Sequence, residues 1–339
     1  MLAFATADLY MRRLMDGHEH IAATARQQGA GAAAAIGRDP AAAMTLAFSK
    51  MHGAGNDFVI LDFRRRADPL PADAWPAVVR AIGDRHTGVG FDQLAVLRPA
   101  PVEEGDIAVT FWNADGSRSA ACGNATRCVA LILAEEGRGP VFRIAVEGRG
   151  LLTAEAREDG RFTVDMGAPG LDWRDVPLSR DMDTLALDLP GAPVALSMGN
   201  PHAVHVVEAL DASDWRAIGA RVECDPLFPE RTNVQVVEVI DTTRILARVW
   251  ERGVGPTLAS GSSACAVAVA CHRLGLTGRC VSVVLEGSVL DIEWLPDGPD
   301  GPGHVLMTGP AAHVFDGVIP GAQVMAMAGM TKQTGGGDD

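Results

Sequence analysis

The chain has 339 residues, 47% of them apolar, so it can bury a substantial core and has the length of two domains. Its 43 acidic and 29 basic residues leave a net charge of −14 with no basic stripe, which argues against a nucleic acid partner. No run approaches the roughly 18 uncharged apolar residues of a membrane helix, and the N-terminus lacks a signal-peptide pattern. We therefore expect a cytoplasmic protein that does not bind a membrane.

The composition also argues against the common cofactors. The six cysteines form no CxxC pair and no Cys/His spacing suited to zinc, so we predict no metal site. Lysine occurs only at Lys50 and Lys332, whereas a pyridoxal phosphate enzyme needs a Schiff-base lysine. The segment TGVGFD (87–92) lacks the third glycine of a dinucleotide fingerprint. We expect that the protein uses no cofactor.

In chain order, the first segment is residues 1–43, which are rich in Ala, Gly and Gln. We treat it as an N-terminal extension, with Met44 as an alternative start. Residues 331–339 form a Gly-rich tail that we predict to be disordered. Short β-type runs and two or three helical patterns lie between them, which indicates an α+β fold. The β-type runs include DIAVTFW (106–112), FRIAVEG (142–148), RFTVDMG (161–167), TNVQVVEVI (232–240) and RILARVW (244–250).

An internal repeat organises this middle part of the chain. A shift of 138 residues places Trp112 on Trp250, Cys122 on Ser260 and Gly123 on Gly261. Each half then has a β-run, a Trp, a loop and a helix that starts with small residues. We predict two related α+β domains that face one another. The first comprises residues 44–166 and 312–330, and the second residues 167–311.

The start of the helical run CGNATRCVALILAEE suits acid/base chemistry. A helix N-terminus presents unpaired N–H groups, which bind anions and lower a thiol pKa from about 8.5 towards neutrality. If the start of the second helix, at Ser260, faces Cys122, a carboxylate can be held between the two. Proton removal on one face of its α-carbon and return on the other then inverts that carbon. The alternative is that Cys122 is a small buried residue at a helix start, which the polar residues around it disfavour.

Seven motifs, in this order over residues 45–320, resemble the diaminopimelate epimerase family. The resemblance implies two pseudo-symmetric α+β domains, each with antiparallel strands around a central helix, and an active site in the cleft between them. It implies a cofactor-independent isomerase of lysine and peptidoglycan precursor synthesis, and it is compatible with a homodimer. The motifs are MHGAGNDF (51–58), GFDQ (90–93), FWNADGS (111–117), ACGNATRC (121–128), MGNPHAV (198–204), TNVQ (232–235) and WERGVGPTLASGSSAC (250–265).

The resemblance also assigns roles to individual residues. Cys122 becomes one of two catalytic acid/base residues, and Ser260 holds the position of the other. The reacting carboxylate would receive backbone N–H groups, and the distal amino acid end of a diamino dicarboxylic acid substrate would be read by polar side chains. His202 and Glu251 would tune the proton-transfer residues. The carboxylate-binding residues are Gly123, Asn124, Gly261 and Ser262; the distal residues are Asn56, Asn113, Asn200, Asn233 and Arg252, with Glu251 nearby and Gln93 at the cleft.

Ser260 is a departure from the family, which has cysteine there. A hydroxyl is a far weaker acid than a thiol, and each pKa unit of difference costs about 1.36 kcal/mol. Cys265 lies more than a helical turn further on and should point away from the cleft. Three interpretations remain open. The chain is an epimerase in which Ser260, helped by Glu251 or a water, delivers a proton; a related isomerase or dehydratase that uses one thiol base; or an amino acid-binding paralogue without activity.

Overall fold

The computed structural model describes residues 44–101, 103–119, 123–299 and 301–330. The predicted extension (1–43), the predicted tail (331–339) and Cys122 lie outside the described residues. The described chain forms two compact units, one of residues 47–317 and one of residues 44–46 with 318–330. None of its helices is long and apolar enough to cross a membrane.

The elements are short and follow the predicted α+β pattern. The strands are β1 (Leu46–Gly53), β2 (Asn56–Asp62), β3 (Gln93–Arg98), β4 (Ile107–Asn113), β5 (Arg118–Ser119), β6 (Val141–Val146), β7 (Gly150–Ala156), β8 (Phe162–Asp165), β9 (Val194–Ser197), β10 (Pro201–Val206), β11 (Asn233–Asp241), β12 (Arg244–Glu251), β13 (Gly255–Thr257), β14 (Cys280–Val284), β15 (Val289–Trp294), β16 (Val305–Gly309) and β17 (Ala312–Ile319). The helices are α1 (Trp75–Gly83), α2 (Gly123–Glu135), α3 (Trp215–Glu223), α4 (Gly261–Arg273) and α5 (Gly321–Met327).

The predicted repeat is present in the unit of residues 47–317. In the first half β2 pairs with β3, β3 with β4 and β4 with β6, and β6, β7 and β8 follow as neighbours. In the second half β10 to β12 and β14 to β16 pair in the same order. Strands β8 and β16 pair antiparallel and join the two halves. The boundary predicted near residue 166 stays a prediction.

The sheet is mixed, whereas the family resemblance implied antiparallel strands. The pairs β2–β3, β4–β6, β10–β11 and β12–β14 are parallel, and the other pairs in the two halves are antiparallel. Parallel neighbours need a crossover connection, and each of the helices α1 to α4 lies in one of these four connections. The helices α1 and α3 were not resolved as separate patterns in the sequence because each has only nine residues.

Each half surrounds one buried helix. In α4 the side chains from Ser263 to Cys271 are buried, and most of them are Ala, Cys or Val. In α2 the residues from Gly123 to Ala130 are buried as well. Small side chains allow strands to pack closely around a helix on all sides, so these two helices form the centre of the hydrophobic core.

The repeated Trp positions pack against the outer helix of each half. Trp112 of β4 stacks on Trp75 of α1, with 6.1 Å between the ring centroids. In the second half, Trp250 of β12 donates from Nε1 to Glu223 Oε2 of α3 at 2.7 Å. Its ring also lies against Gly219, where a Cβ would be 2.7 Å from the Trp250 Cβ. The shared Trp position therefore reflects the same packing requirement in both halves.

Candidate active site

The starts of α2 and α4 lie close together against the side chain of Met307. A Cβ at Gly123, the first residue of α2, would lie 2.7 Å from the Met166 Sδ and 2.5 Å from the Met307 Cε. A Cβ at Gly261, the first residue of α4, would lie 2.9 Å from the Met307 Sδ and 3.2 Å from the Asn124 Oδ1. A side chain at either position would displace the end of Met307 or Met166, and both helix starts therefore lie against the same methionine.

Ser260 is the residue immediately before α4, and its hydroxyl does not cap the helix. Its backbone is extended (φ −149°, ψ 121°), and its carbonyl accepts the Ala264 N–H at 3.0 Å, but its side chain makes no capping hydrogen bond. The residue is 7% exposed. The N–H groups of Gly261, Ser262 and Ser263 precede the first intrahelical donor, so this end of the helix is suited to an anion.

The Ser260 hydroxyl interacts with the carboxyl group of Glu251 at the end of β12. Glu251 is partly exposed as a residue, yet its carboxyl group is largely surrounded by protein atoms. Burial raises the pKa of Glu251; the hydrogen bond from Ser260 opposes that rise, and the nearby negative charge of Asp92 adds to it. Glu251 is therefore a carboxyl group whose pKa is moved towards neutrality beside a candidate proton-transfer residue.

Asn56 and Asn124 contact each other directly. The Asn124 Nδ2 donates to the Asn56 Oδ1 at 2.5 Å, and the Asn56 Nδ2 donates to the Asp92 Oδ2 at 3.0 Å. Asn56 follows a tight turn in which Ala54 (φ 57°) and Gly55 (φ 97°) have left-handed backbone conformations. A Cβ at Gly55 would lie 3.7 Å from the Ala259 Cβ, so this turn packs beside the residue that precedes Ser260.

Asp92 is a site residue that the sequence interpretation missed. Its carboxylate accepts hydrogen bonds from Asn56, from the Asp57 N–H at 3.2 Å and from the Arg85 Nη2 at 2.7 Å. Arg85 also binds Asp57 through both terminal nitrogens, and the Lys50 Nζ binds Asp57 at 2.6 Å. The motif GFDQ contains Asp92, but nothing in the sequence indicates that it contacts the turn before β2.

Gln93 and Asn113 are opposite each other on β3 and β4. The Gln93 Nε2 donates to the Asn113 Oδ1 at 2.9 Å and to the Ser119 Oγ at 3.1 Å, and the Asn113 Nδ2 donates to the Ser117 Oγ at 3.0 Å. Within the described residues, the buried Gln93 Oε1 and the buried Asn124 Oδ1 have no hydrogen-bond donor. Orphaned buried polar atoms are rare, and they are typical of functional sites.

In the second half, Asn200 contacts the first turn of α4. Its Nδ2 donates to the Ser262 Oγ at 3.4 Å, and its Oδ1 lies 2.9 Å from the His202 Nε2. The His202 Nδ1 lies 3.1 Å from the Gln235 Nε2, which is a donor, so the neutral Nε2–H tautomer satisfies both contacts. Burial lowers the pKa of His202 to about 3, against the hydrogen bond from Gln235. His202 is thus a neutral residue that orients Asn200.

Both the nitrogen and the oxygen of the Asn233 side-chain amide form hydrogen bonds with protein groups. The Asn233 Nδ2 donates to the Pro201 carbonyl at 2.9 Å, and the Asn233 Oδ1 accepts the Arg252 N–H at 3.0 Å. The Arg252 guanidinium is exposed and donates to the Glu230 carbonyl at 3.1 Å. The structure therefore places Asn233 beside Arg252, as a residue that fixes the backbone of the turn.

Other candidate sites are separate from this cluster. Cys265 is fully buried in the core, and burial raises the pKa of its thiol to about 12. A cavity of about 680 Å³ is lined by Trp75, Arg98 and Arg118 and by none of the predicted site residues. Within the described ranges, no group of three or more His, Cys, Asp or Glu side chains is arranged to hold a metal ion.

Comparison with known proteins identifies the chain. A phenazine biosynthesis protein of the PhzF family from Bacillus anthracis shares the fold, with a TM-score of 0.60 at 14% identity over 81% of this chain and 99% of that one. A diaminopimelate epimerase from Rhodospirillum centenum is 47% identical over 280 residues, which are 81% of this chain and 93% of that protein. A diaminopimelate epimerase from Gluconobacter oxydans is 48% identical over 274 residues, which are 81% and 99%.

These relatives make the protein an isomerase of the epimerase class. The family model of diaminopimelate epimerase matches residues 48–171 and 194–314, and the chain belongs to the diaminopimelate epimerase family.

Proposed function

We propose that this chain inverts one α-carbon of LL-diaminopimelate to give the meso isomer, without a cofactor. Family membership supports the reaction. The packing of Gly123 and Gly261 against the same Met307 side chain supports the binding mode, because two neighbouring helix N-termini supply N–H groups and positive dipole ends. An α-carboxylate held there is stabilised most strongly when the α-carbon loses its proton and negative charge spreads onto the carboxylate.

The proton on one face is transferred by Cys122, which lies outside the described residues and is assigned by family resemblance. Its thiolate takes the α-proton and becomes a thiol, while the substrate becomes a carbanion. On the other face, the Ser260 hydroxyl donates its proton to the carbanion as the Glu251 carboxylic acid replaces that proton. Glu251 ends as a carboxylate, and Ser260 never becomes an alkoxide. The reverse direction uses the same steps in the opposite order.

Family membership carries this proposal, and the position of Ser260 beside Glu251 supplies its second acid/base group. The raised pKa of Glu251 supports it, because proton transfer is most efficient when the pKa of the acid or base lies near the working pH. Cysteine at this position would hold the proton itself, whereas serine needs a partner with a lower pKa than its own. The carboxyl group of Glu251 is such a partner.

The distal end of the substrate would be held by amide and guanidinium groups. Their supply of both donors and acceptors fits an ammonium group beside a carboxylate, so a diamino dicarboxylic acid is the proposed substrate class. Asn233 acts indirectly in this proposal, since its amide fixes the backbone of Arg252. The direct contacts would come from Asn56, Gln93, Asn113, Asn200 and Arg252.

We also propose that the protein is a cytoplasmic homodimer with no nucleic acid or membrane partner. Two exposed apolar side chains of β17 support the dimer: Val314 is 53% exposed and Phe315 is 47% exposed. Large apolar side chains exposed on an edge of a protein are often covered by a partner. Sedimentation velocity of the parent and of Phe315→Ser tests this proposal, and a monomeric parent at micromolar concentration would contradict it.

The function is tested by adding LL-diaminopimelate to the purified protein without any cofactor and separating the stereoisomers by chiral chromatography. We expect the meso isomer to accumulate, and we expect Cys122→Ala to prevent this. Release of water or of another small product instead would indicate the one-base dehydratase. Binding of diaminopimelate without turnover would indicate a binding protein.

A further inference from the structure

Arg149 lies where the two halves of the repeat meet. It occupies the turn between β6 and β7, flanked by Gly148 (φ 80°) and Gly150 (φ 97°). Its Nη2 donates to the carbonyl of Met166 at 2.7 Å. The Met166 N–H in turn donates to the Val305 carbonyl at 2.9 Å. Arg149 therefore holds the peptide at which the chain leaves the first half.

The same guanidinium lies against Gly199 of the second half. A Cβ at Gly199 would be 3.2 Å from the Arg149 Cζ, and closer still to the Nη1. Gly199 also has a φ of 89°, a conformation that disfavours any side chain. A side chain at position 199 would therefore displace the Arg149 guanidinium in addition to straining the backbone.

Gly199 belongs to the turn that places Asn200. The Met198 N–H donates to the Asn200 carbonyl at 3.1 Å, and the Gly199 N–H donates to the Ser197 Oγ at 3.2 Å. This short turn is the connection between β9 and β10, and Asn200 extends from it to the Ser262 hydroxyl. A displacement of Gly199 therefore moves Asn200 away from the start of α4.

We propose that Arg149 is a positioning residue that holds the Asn200 turn of the second half against the first half. The inference rests on the proposed function, since it assigns to Arg149 the placement of one substrate-binding side chain. Among the described residues Arg149 forms no ion pair with a carboxylate; its contacts are a backbone carbonyl on one side and a glycine on the other. A planar guanidinium fits between two backbone segments in a way that the ammonium group of lysine does not.

A double-mutant cycle tests the contact. The four proteins are the parent, Arg149→Ala, Gly199→Ala and the double variant. The strain of a positive φ at position 199 is the same in both backgrounds, so the cycle isolates the collision with Arg149. In the parent background we expect Gly199→Ala to raise KM for diaminopimelate by about tenfold or more, and in the Arg149→Ala background by about threefold or less. Urea unfolding of the four proteins gives a second measure of the same coupling.

Single variants test the positioning role. We expect Arg149→Ala to raise KM several-fold with kcat changed by less than about twofold, because binding is loosened while the proton-transfer groups stay in place. Arg149→Lys should recover only part of this loss. The matched control is Arg157→Ala, which removes an exposed arginine from the turn between β7 and β8.

If the effects of the two substitutions are additive in both KM and unfolding free energy, Arg149 and Gly199 are not coupled and the proposal fails. Coupling in unfolding together with an unchanged KM in Arg149→Ala would overturn the positioning role and leave a purely structural contact. If the parent forms no meso isomer, the proposed function fails instead. Calorimetric binding of meso-diaminopimelate then replaces KM, and a parent that binds none of it overturns the positioning role as well.

Discussion

The hydroxyl of Ser260 lies beside the carboxyl group of Glu251, at the point where β12 and the start of α4 approach each other. An epimerase that uses two thiols as its acid/base groups would have cysteine at position 260. Here the hydroxyl has a neighbouring group whose pKa burial has raised, so the pair can hold and release a proton at a pH where serine alone cannot.

Ser260→Cys should increase the rate of inversion by one or more orders of magnitude. The substitution places an acidic thiol at the N-terminus of α4, where the helix dipole favours the thiolate. Each tenfold increase corresponds to about 1.4 kcal/mol of barrier. The rate of meso-diaminopimelate formation measures it. Ser288→Cys in the turn between β14 and β15 is the control, and a Ser260→Cys protein no faster than the parent would contradict the two-base account.

Glu251→Gln should reduce inversion by about a hundredfold, which is the lower range for loss of a general acid or base. Glutamine retains a hydrogen-bonding oxygen beside Ser260 but cannot exchange a proton. In the same protein, α-proton exchange at the face of Cys122 should persist, because it does not need Glu251. If Glu251→Gln inverts diaminopimelate at the parent rate, the Ser260–Glu251 pair is not the second acid/base.

Asp92→Asn should shift the pH dependence of inversion to lower pH. The charge of Asp92 helps to raise the pKa of Glu251, after the larger effect of burial, so removing that charge lowers the pKa of Glu251. In the conversion of the LL to the meso isomer Glu251 acts as the acid, so the limb at which the rate falls as Glu251 loses its proton moves to lower pH. Asp68→Asn, which alters a distant ion pair with Arg98, is the control. An unchanged limb would show that Glu251 does not titrate in the reaction.

Asp57→Asn should lower the free energy of unfolding at pH 7 by about 2 kcal/mol, given a pKa shift of nearly two units. Burial alone would raise the pKa of Asp57, but Arg85 and Lys50 outweigh it and lower the pKa to about 2. A carboxyl group with a lowered pKa stabilises the fold above its unfolded pKa of about 3.9, and the contribution is lost as the pH falls through the folded value.

Denaturant titrations from pH 7 down to pH 2 measure this difference. The difference in the free energy of unfolding between the parent and Asp57→Asn should disappear between about pH 4 and pH 2, since both proteins are then uncharged at position 57. Asp73→Asn, on the exposed segment before α1, is the control. A difference in unfolding free energy that is constant over this pH range would mean that Asp57 stabilises the fold through packing and not through its charge.

The part of the architecture that depends on local pattern could be predicted from the sequence. The 138-residue repeat places Gly123 on Gly261, and the structure has a 13-residue helix starting at each. Trp112 and Trp250 likewise occupy equivalent strands. The parallel pairs were not predicted, because hydrophobic alternation indicates that a strand exists but not which neighbour it joins or in which direction.

Contacts between residues that are distant along the chain also could not be predicted from the sequence. Asp92 meets Asn56, and Arg149 meets Gly199, through strand order and register and not through spacing along the chain. Asn233 has a side chain that could bind a substrate, but the structure shows it bound to Pro201 and Arg252. The resemblance predicted Asn200 and Asn233 as site residues, while the contacts that their side chains make follow from the tertiary structure.

The most direct test of the central claim is incubation of LL-diaminopimelate with the protein in D2O, with deuterium incorporation and configuration followed over time. Because Ser260 with Glu251 is the slower half of the pair, deuterium should enter at the α-carbon with retained configuration before the meso isomer accumulates. Cys122→Ala should abolish both exchange and inversion. Exchange that persists in Cys122→Ala, or inversion in the parent without deuterium in the product, would contradict the account.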